Sequence, residues 1–259
     1  METVVLMRMV PDVVEELEVA ADGKSLDDQF LRMIANESDE HALEEALLLK
    51  ERYGGRVTVV GLEAPELEET LYSALAKGAD RAVKLTGVPA GCDTRTAAGI
   101  FSQAVKALPG LGQPDLILTG TQAIIDLDSL LAPLVASRLN LLSAAIVTRI
   151  ELNSAARAVT VTREFPAGFR GEFEVPLPAV IGIQAAEKPP RYVPVAKIRA
   201  VMKSQAIESF GMEWPVVEPK LEIQRMAKPV AAERAEIIEG TVEEMAAKLC
   251  AILGERGLL

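Results

Sequence analysis

The sequence predicts an α/β protein: an open, mainly parallel, doubly wound sheet of the Rossmann-like, adenine-nucleotide-binding type, with added antiparallel strands and a C-terminal arm. Three observations carry that reading. Up to residue 150, short β-branched apolar runs alternate with amphipathic stretches of helical period. From residue 158 the period falls to two, as on a half-exposed antiparallel sheet. From about residue 187, prolines and polar residues replace both patterns. The chain therefore divides into an α/β domain, 1–186, and an arm with a terminal helix, 187–259.

The first buried strand is read at residues 3–9. An Asp22-Gly23 turn marks an excursion or small hairpin over 12–35. Asn36, Ser38 and Asp39 precede an apolar-periodic run, with acids in the first turn, so a helix is expected from about 38 to 52, stopped by Gly54-Gly55. A strand at 57–62, a helix at 66–77 ended by Gly78, and a strand at 80–85 follow. Next come a helix at 94–108, a strand at 116–119, a helix at 129–138 and a strand at 144–150. Residues 158–164, 172–175 and 179–183 are expected as antiparallel additions. The segment 189–197 holds Pro189, Pro190 and Pro194 and is expected outside any regular element, with a short helix at 199–203. Residues 204–237, with Pro215, Pro219 and Pro229, read as an arm laid over something. Thr241 caps a last amphipathic helix ending near Gly254.

The 259 residues can bury one large core. A net charge of −11 disfavours nucleic acid or an anionic membrane as the main partner. Two cysteines, Cys92 and Cys250, are too few for a disulfide framework and read as free thiols. The opening residues lack a signal-peptide pattern, and no apolar run reaches the ~20 residues of a span. A cytoplasmic protein is expected. The only histidine, His41, rules out a histidine metal cluster and is expected exposed or capping.

Neither GxGxxG nor GxxxxGK[ST] is present, nor HExxH or an EF-hand loop. The pairs Asp27-Asp28 and Glu44-Glu45 read as solvated faces. What remains is architectural, because an open α/β sheet binds ligands at the carboxyl ends of its strands. There Leu6 and Arg8 end the first strand, Asn36, Ser38 and Asp39 open a helix, and Leu62 walls the side. The loop after the fourth strand brings Gly120, Gln122, Ala123, Asp126, Asp128 and Ser129. Backbone N–H groups with Gln and Asp side chains suit an adenine nucleotide, and ordinary βα loops are the competing reading.

Several stretches resemble the electron-transfer flavoprotein β subunit, and they span nearly the whole chain. They are Val5–Asp12, Asn36–Lys50, Glu69-Thr70-Leu71 with Ala74–Ala82, Gly120–Ile124, Val161–Glu164, Leu177–Ile181, and Pro190-Arg191-Tyr192 with Ile198. The resemblance implies a heterodimer with an α subunit that holds most of a redox-active FAD. The pair carries electrons between an acyl-CoA-type or other flavin dehydrogenase and a quinone- or ferredoxin-linked acceptor, with no catalytic residue of its own. It further implies AMP, or a second FAD exchanging with NAD, in the β-subunit site. Arg163 and the turn at 10–13 would lie near the shared FAD, and the arm would wrap the α subunit. Arg191, Tyr192, Val195 and Ile198 would dock the dehydrogenase.

The chain departs from the pattern in three places. Glu37 stands where proline is usual. Residues 125–132 shift the two acids by one and lose a Gln and a Gly. Val195 is smaller than the family's leucine anchor. A stand-alone adenine-nucleotide-binding or sensing module, and a scaffold subunit with a vestigial nucleotide site, remain as alternatives.

Overall fold

The computed structural model describes every residue except 30, 90, 127, 216–221, 230–234, 236 and 259. Strand β1 (Glu2–Met7) runs through the middle of a sheet whose other strands arrive in both directions from it. Its run of Val4, Val5, Leu6 and Met7 is fully buried because helices cover both faces, the environment of a central parallel strand. A short antiparallel pair, β2 (Met9–Pro11) and β3 (Met33–Ala35), brackets the excursion that follows.

Helix α1 (Glu37–Tyr53) leads to β4 (Arg56–Leu62), then α2 (Leu67–Lys77) and β5 (Arg81–Thr86). Helix α3 (Thr94–Ala107) then carries the chain back across the sheet to β6 (Leu116–Gly120), on the other side of β1. The strand order reverses between β1 and β6, which defines a switch point at their carboxyl ends. Helix α4 (Leu131–Leu139) and the strands β7 (Leu142–Asn153), β8 (Ala158–Glu164), β9 (Arg170–Pro176) and β10 (Ala179–Ile183) complete the body. The full order adds an edge strand, β11 (Glu208–Gly211), and reads β11-β5-β4-β1-β6-β10-β7-β8-β9.

Side chains of β1 alternate between two cores. Val5 and Met7 meet α1 and α2, with Leu43, Leu47, Leu67 and Leu71. Val4 and Leu6 meet α3 and α4, with Ile100, Phe101, Leu131 and Val135. Strands β8 and β9 are antiparallel, as the period-two pattern predicts.

Strand β10 overturns the expectation for residues 179–183. It pairs parallel with both β6 and β7, inside the sheet. All five of its residues are buried, and an apolar run without alternation belongs between two covered faces, not on an antiparallel ribbon. Strand β7 joins the two regimes. Its first half runs parallel to β10 and its second antiparallel to β8, with register shifts on both sides of Val147. Ile146, at the change, has φ 61°, a left-handed conformation that a β-branched residue rarely adopts. Its N–H donates to Thr121 Oγ1 at 3.3 Å.

The arm also holds more regular structure than its prolines suggest. Helix α5 (Val195–Ser204) starts directly after Pro194, so Val195, Ala196 and Lys197 lie inside an element. Proline does no harm at the N-cap, where its missing N–H would have had no helical partner. Strand β11 closes the sheet against β5, held by a two-pronged Arg81–Glu208 ion pair of 2.8 and 2.7 Å. Trp214 follows it, is buried against the second core, and donates Nε1–H to the Thr86 carbonyl at 2.7 Å. Residues 207–214 therefore cover the open edge of this chain's own sheet. Further along the expected arm, the Met226 N–H donates to the Gly23 carbonyl at 2.7 Å and Lys228 pairs with Glu16 at 3.1 Å, so this stretch lies on the excursion at 12–35, while 216–221, 230–234 and 236 lie outside the described residues. Helix α6 (Val242–Glu255) carries the predicted Thr241 cap, reciprocated by Glu244 in a capping box, and buries none of its residues. No helix among the described residues is long and apolar enough to cross a membrane.

Candidate functional site at the carboxyl ends of β1 and β6

The start of α1 is pressed against the end of β6. Asn36 donates from Nδ2 to the Gln122 carbonyl at 3.0 Å, where its side chain links the loop after β6 instead of capping the helix. Asp39 is fully buried, and its two oxygens accept the N–H of Arg8 and of Gly120, each at 2.8 Å. Burial pushes its carboxyl up to about 6, against the downward pull of the Arg8 guanidinium and the N–H bonds. Gly120 is required here for clearance. A Cβ would lie 2.3 Å from Asp39 Oδ1 and 2.7 Å from Ser38 Cβ.

A second carboxylate sits beside the first. Arg8 is almost wholly buried, and its Nη1 donates to Asp126 Oδ2 at 2.5 Å. Thr94 Oγ1 donates to the same oxygen at 2.6 Å, and the Ala123 N–H donates to the other at 3.2 Å. Arg8 Nε, also buried, has no partner among the described residues. Cys92 lies half-buried next to this centre. Burial pushes its thiol up, only partly offset by the Arg8 charge.

The rest of the predicted set falls in two places. Gln122 is exposed and its Oε1 accepts from Ser129 Oγ at 3.0 Å, while Ala123 is buried beneath it. Ser129 takes φ 54°, and Asp128 Oδ1 accepts the Leu130 N–H at 2.9 Å, so α4 starts two residues later than expected. Leu6 and Leu62 point away, into the second core. Thr94 is the member that sequence reasoning missed. The Asp93 cap before α3, whose carboxylate accepts the Thr96 N–H at 2.8 Å, was its available signal. A cation, a hydroxyl and a backbone N–H converging on one carboxylate form the donor set that a phosphate oxygen would also take, so the residues present fit an anionic nucleotide.

Two further expectations are corrected on α1. Glu44 and Glu45 are buried, at 3% and 1% exposure, not solvated. The helix is covered by the sheet on one side and by residues 186–191 on the other. Glu45 accepts the N–H of Ile150 and of Glu187, at 3.0 and 3.1 Å, and burial pushes its carboxyl up. Glu44 accepts the Arg191 N–H at 3.0 Å, and its two oxygens take Nε and Nη2 of the same residue. Glu51 takes Nη1 at 2.5 Å. His41, half-buried, accepts the Ala186 N–H at Nδ1 at 3.1 Å, neither exposed nor capping.

Of the predicted docking residues, Arg191 is thus held inside the chain, and these carboxylates raise its pKa further. Tyr192 and Val195 stand free at 84% and 57% exposure, and Ile198 is half-buried. On the sheet's other flank, the Arg163 guanidinium lies 5.3 Å from the Phe165 ring centroid. Its buried Nε has no partner among the described residues.

The fold defines a doubly wound α/β protein with a Rossmann-like, mostly parallel sheet. Comparison with known proteins narrows the class. The electron transfer flavoprotein domain matches residues 25–210. The electron transfer flavoprotein subunit beta of Methylophilus methylotrophus is 30% identical over 264 residues, covering 98% of each chain. That of Bacillus subtilis is 30% identical over 260 residues, covering 98% of this chain and 97% of its own. The protein FixA of Sinorhizobium fredii is 37% identical over 173 residues, covering 65% of this chain and 60% of its own. The chain belongs to the electron transfer flavoprotein family, whose role is electron transfer.

Proposed function

We propose that the chain is the β subunit of a heterodimeric electron-transfer flavoprotein acting in the cytoplasm. Through FAD shared with an α subunit, it carries electrons between a flavin dehydrogenase, acyl-CoA-type or other, and a quinone- or ferredoxin-linked acceptor. The observation that carries this reading is the end-to-end match with a β subunit, 98% of both chains. When bound, FAD supplies the redox chemistry. The chain's own groups bind it, orient it and exclude water. Arg163, with its free Nε over Phe165, and the turn at 10–13, where Val13 is exposed, form the flavin-facing side.

The switch point is the adenine-nucleotide site, for AMP or a second FAD exchanging with NAD. Arg8, Asn36, Ser38, Asp39, Gly120, Gln122, Ala123, Asp126, Asp128 and Ser129 build it. Leu6 and Leu62 support it from the core. The parts of the arm after residue 187 that are not held on this chain's own body wrap the α subunit, and Tyr192, with Val195 and Ile198 on the start of α5, meets the dehydrogenase on a segment that Arg191 anchors.

A second reading, a scaffold subunit with a vestigial site, draws support from Asp126 and Asp128, which already occupy the Arg8 guanidinium and the Leu130 N–H. Coexpression with an α-type subunit, followed by counting released FAD and AMP, separates the readings. One FAD with AMP per heterodimer marks an ordinary carrier. Two FAD mark a bifurcating type, and one FAD alone marks a vestigial β site. Absence of any complex overturns the proposal in favour of a stand-alone nucleotide-binding module.

A further inference from the structure

We propose that Asp126 is an internal anionic ligand that closes the switch-point site, and that a phosphate-bearing nucleotide enters by displacing it from Arg8. The inference rests on the nucleotide-site reading above and adds the group that competes for it. Three donors of different origin meet the Asp126 carboxylate: Arg8 Nη1 from the end of β1, Thr94 Oγ1 from the start of α3, and the Ala123 N–H from the loop after β6. Convergence of a guanidinium, a hydroxyl and a backbone N–H is how proteins build a seat for an anion, and here the chain's own carboxylate sits in it.

The seat is not saturated. Arg8 Nε is buried and has no partner among the described residues, a costly state for a charged group's N–H. Asp126 engages the guanidinium through one nitrogen only. A phosphate group, with three oxygens and more charge, can take both Nη1 and Nη2 along the outer edge of the guanidinium, together with the Thr94 hydroxyl. Asp126 is also placed to move. It lies on the loop between β6 and α4, part exposed, while Arg8 is fixed by the Asp39 bond to its own N–H. Displacing Asp126 from a cation exchanges one anion for another and leaves no buried charge unpaired. That makes the exchange feasible in a way that emptying the site is not.

Asp126 therefore sets the affinity and the selectivity of the site. A neutral ligand has no group to compensate Arg8, so it leaves the aspartate in place and is indifferent to it. The aspartate weakens binding of anionic ligands by the cost of its own displacement.

The test is titration calorimetry of the full chain, wild type, Asp126→Ala and Asp126→Asn, with AMP, adenosine and inorganic phosphate. Loss of the competing carboxylate is expected to tighten AMP and phosphate by about tenfold or more and to leave adenosine unchanged. Equal or weaker AMP binding in both variants overturns the proposal, and so does an equal gain for adenosine. A second measurement avoids dependence on the variants folding. In the 15N-labelled wild type, AMP and inorganic phosphate should each shift the Arg8 Nε–H resonance, and adenosine should not. An Arg8 signal indifferent to AMP at saturation also overturns it. Complex formation with the α-type subunit is scored separately. Loss of the complex sinks the β-subunit reading, whereas failure of the variant series with the complex intact sinks only the role of Asp126.

Discussion

Two buried charge clusters lie on opposite flanks of α1, and they are satisfied to different degrees. At its C-terminal half, Glu44, Glu45 and Glu51 meet the backbone N–H groups of residues 150, 187 and 191 and three nitrogens of the Arg191 guanidinium. Nothing there is left over. At its N-terminus, Arg8 meets Asp126 through one nitrogen and keeps a buried N–H without a described partner. The first arrangement is a clamp that fixes the path of the chain after β10. The second has capacity in reserve, which is what a binding site needs and a strut does not. The difference lies in the count of satisfied donors, since both clusters are charged and built around buried carboxylates, Glu44 and Glu45 in one and Asp39 in the other.

The sharpest way to break the comparison is to remove the clamp. Glu44→Ala deletes the acceptor of the Arg191 N–H and of two of its side-chain nitrogens, and leaves those donors facing an apolar gap. Because Arg191 is partly exposed, the cost is discounted from that of a fully buried pair to about 2–3 kcal/mol. Urea denaturation reads it as a lower midpoint with unchanged slope. A midpoint within error of wild type would mean that the clamp is ornamental.

Gly120→Ala acts at the other flank and comes next in size. The new Cβ cannot be accommodated 2.3 Å from Asp39 Oδ1 and 2.8 Å from the Asp39 backbone nitrogen unless α1 moves. A loss of about 1–3 kcal/mol is expected, with weakened AMP binding beside it. Stability lost without any effect on AMP would separate the start of α1 from the site.

Asp39 gives a smaller effect with a definite sign. Its folded pKa, about 6, exceeds the ordinary value of 3.8, so the folded chain holds more protons than the unfolded one between these limits. Its contribution to stability is then full below 3.8 and is lost as pH rises towards about 6. Burial raises Glu45 as well and adds the same sign, whereas the exposed, lowered carboxyls of Glu51, Glu187 and Glu208 work in the opposite direction. Comparing wild type with Asp39→Asn isolates the one group. The difference in denaturation free energy between them should change from about pH 4 through the folded pKa of about 6 and level off roughly one pH unit above that. A difference independent of pH would refute the raised pKa.

The parts that the sequence made legible are those where one local rule decides. The β1, β4 and β5 runs, the stop of α2 at Gly78 and the Thr241 cap follow from apolar period and terminal chemistry. Strand β10 was legible as a strand but not in direction, because a five-residue apolar run looks the same whichever way its neighbours point. Strand β11, with the sequence Glu-Ser-Phe-Gly, carries no strand pattern, since one edge and one face meet solvent. Glu44 and Glu45 were misread for a long-range reason. Their acceptors are used by residues more than a hundred positions away, and no helical wheel contains the segment that covers them. At the switch point, Arg8, Asn36, Asp39 and the 120–129 loop were found together from topology. The pairing of Arg8 with Asp126 and Thr94 depends on side-chain reach across three elements and could be seen only in space.

The smallest effect on stability belongs to Tyr192, and it tests what the clamp is for. Its ring is 84% exposed, so Tyr192→Ala should leave the denaturation midpoint within about 0.5 kcal/mol of wild type. The clamp ends one residue earlier, at Arg191, and α5 begins three residues later, so the ring is presented from a stretch held at both ends. A rigidly presented exposed aromatic is suited to bind, since little conformational freedom remains to be lost on contact. Electron transfer from an acyl-CoA-type dehydrogenase to the reconstituted heterodimer should therefore slow in Tyr192→Ala through a raised KM for the heterodimer, with kcat little changed. If Glu44→Ala, in the fraction that remains folded, raises the same KM although it does not touch Tyr192, the clamp acts by holding the loop. If only Tyr192→Ala does so, the clamp serves stability alone, and the comparison between a strut and a site becomes absolute.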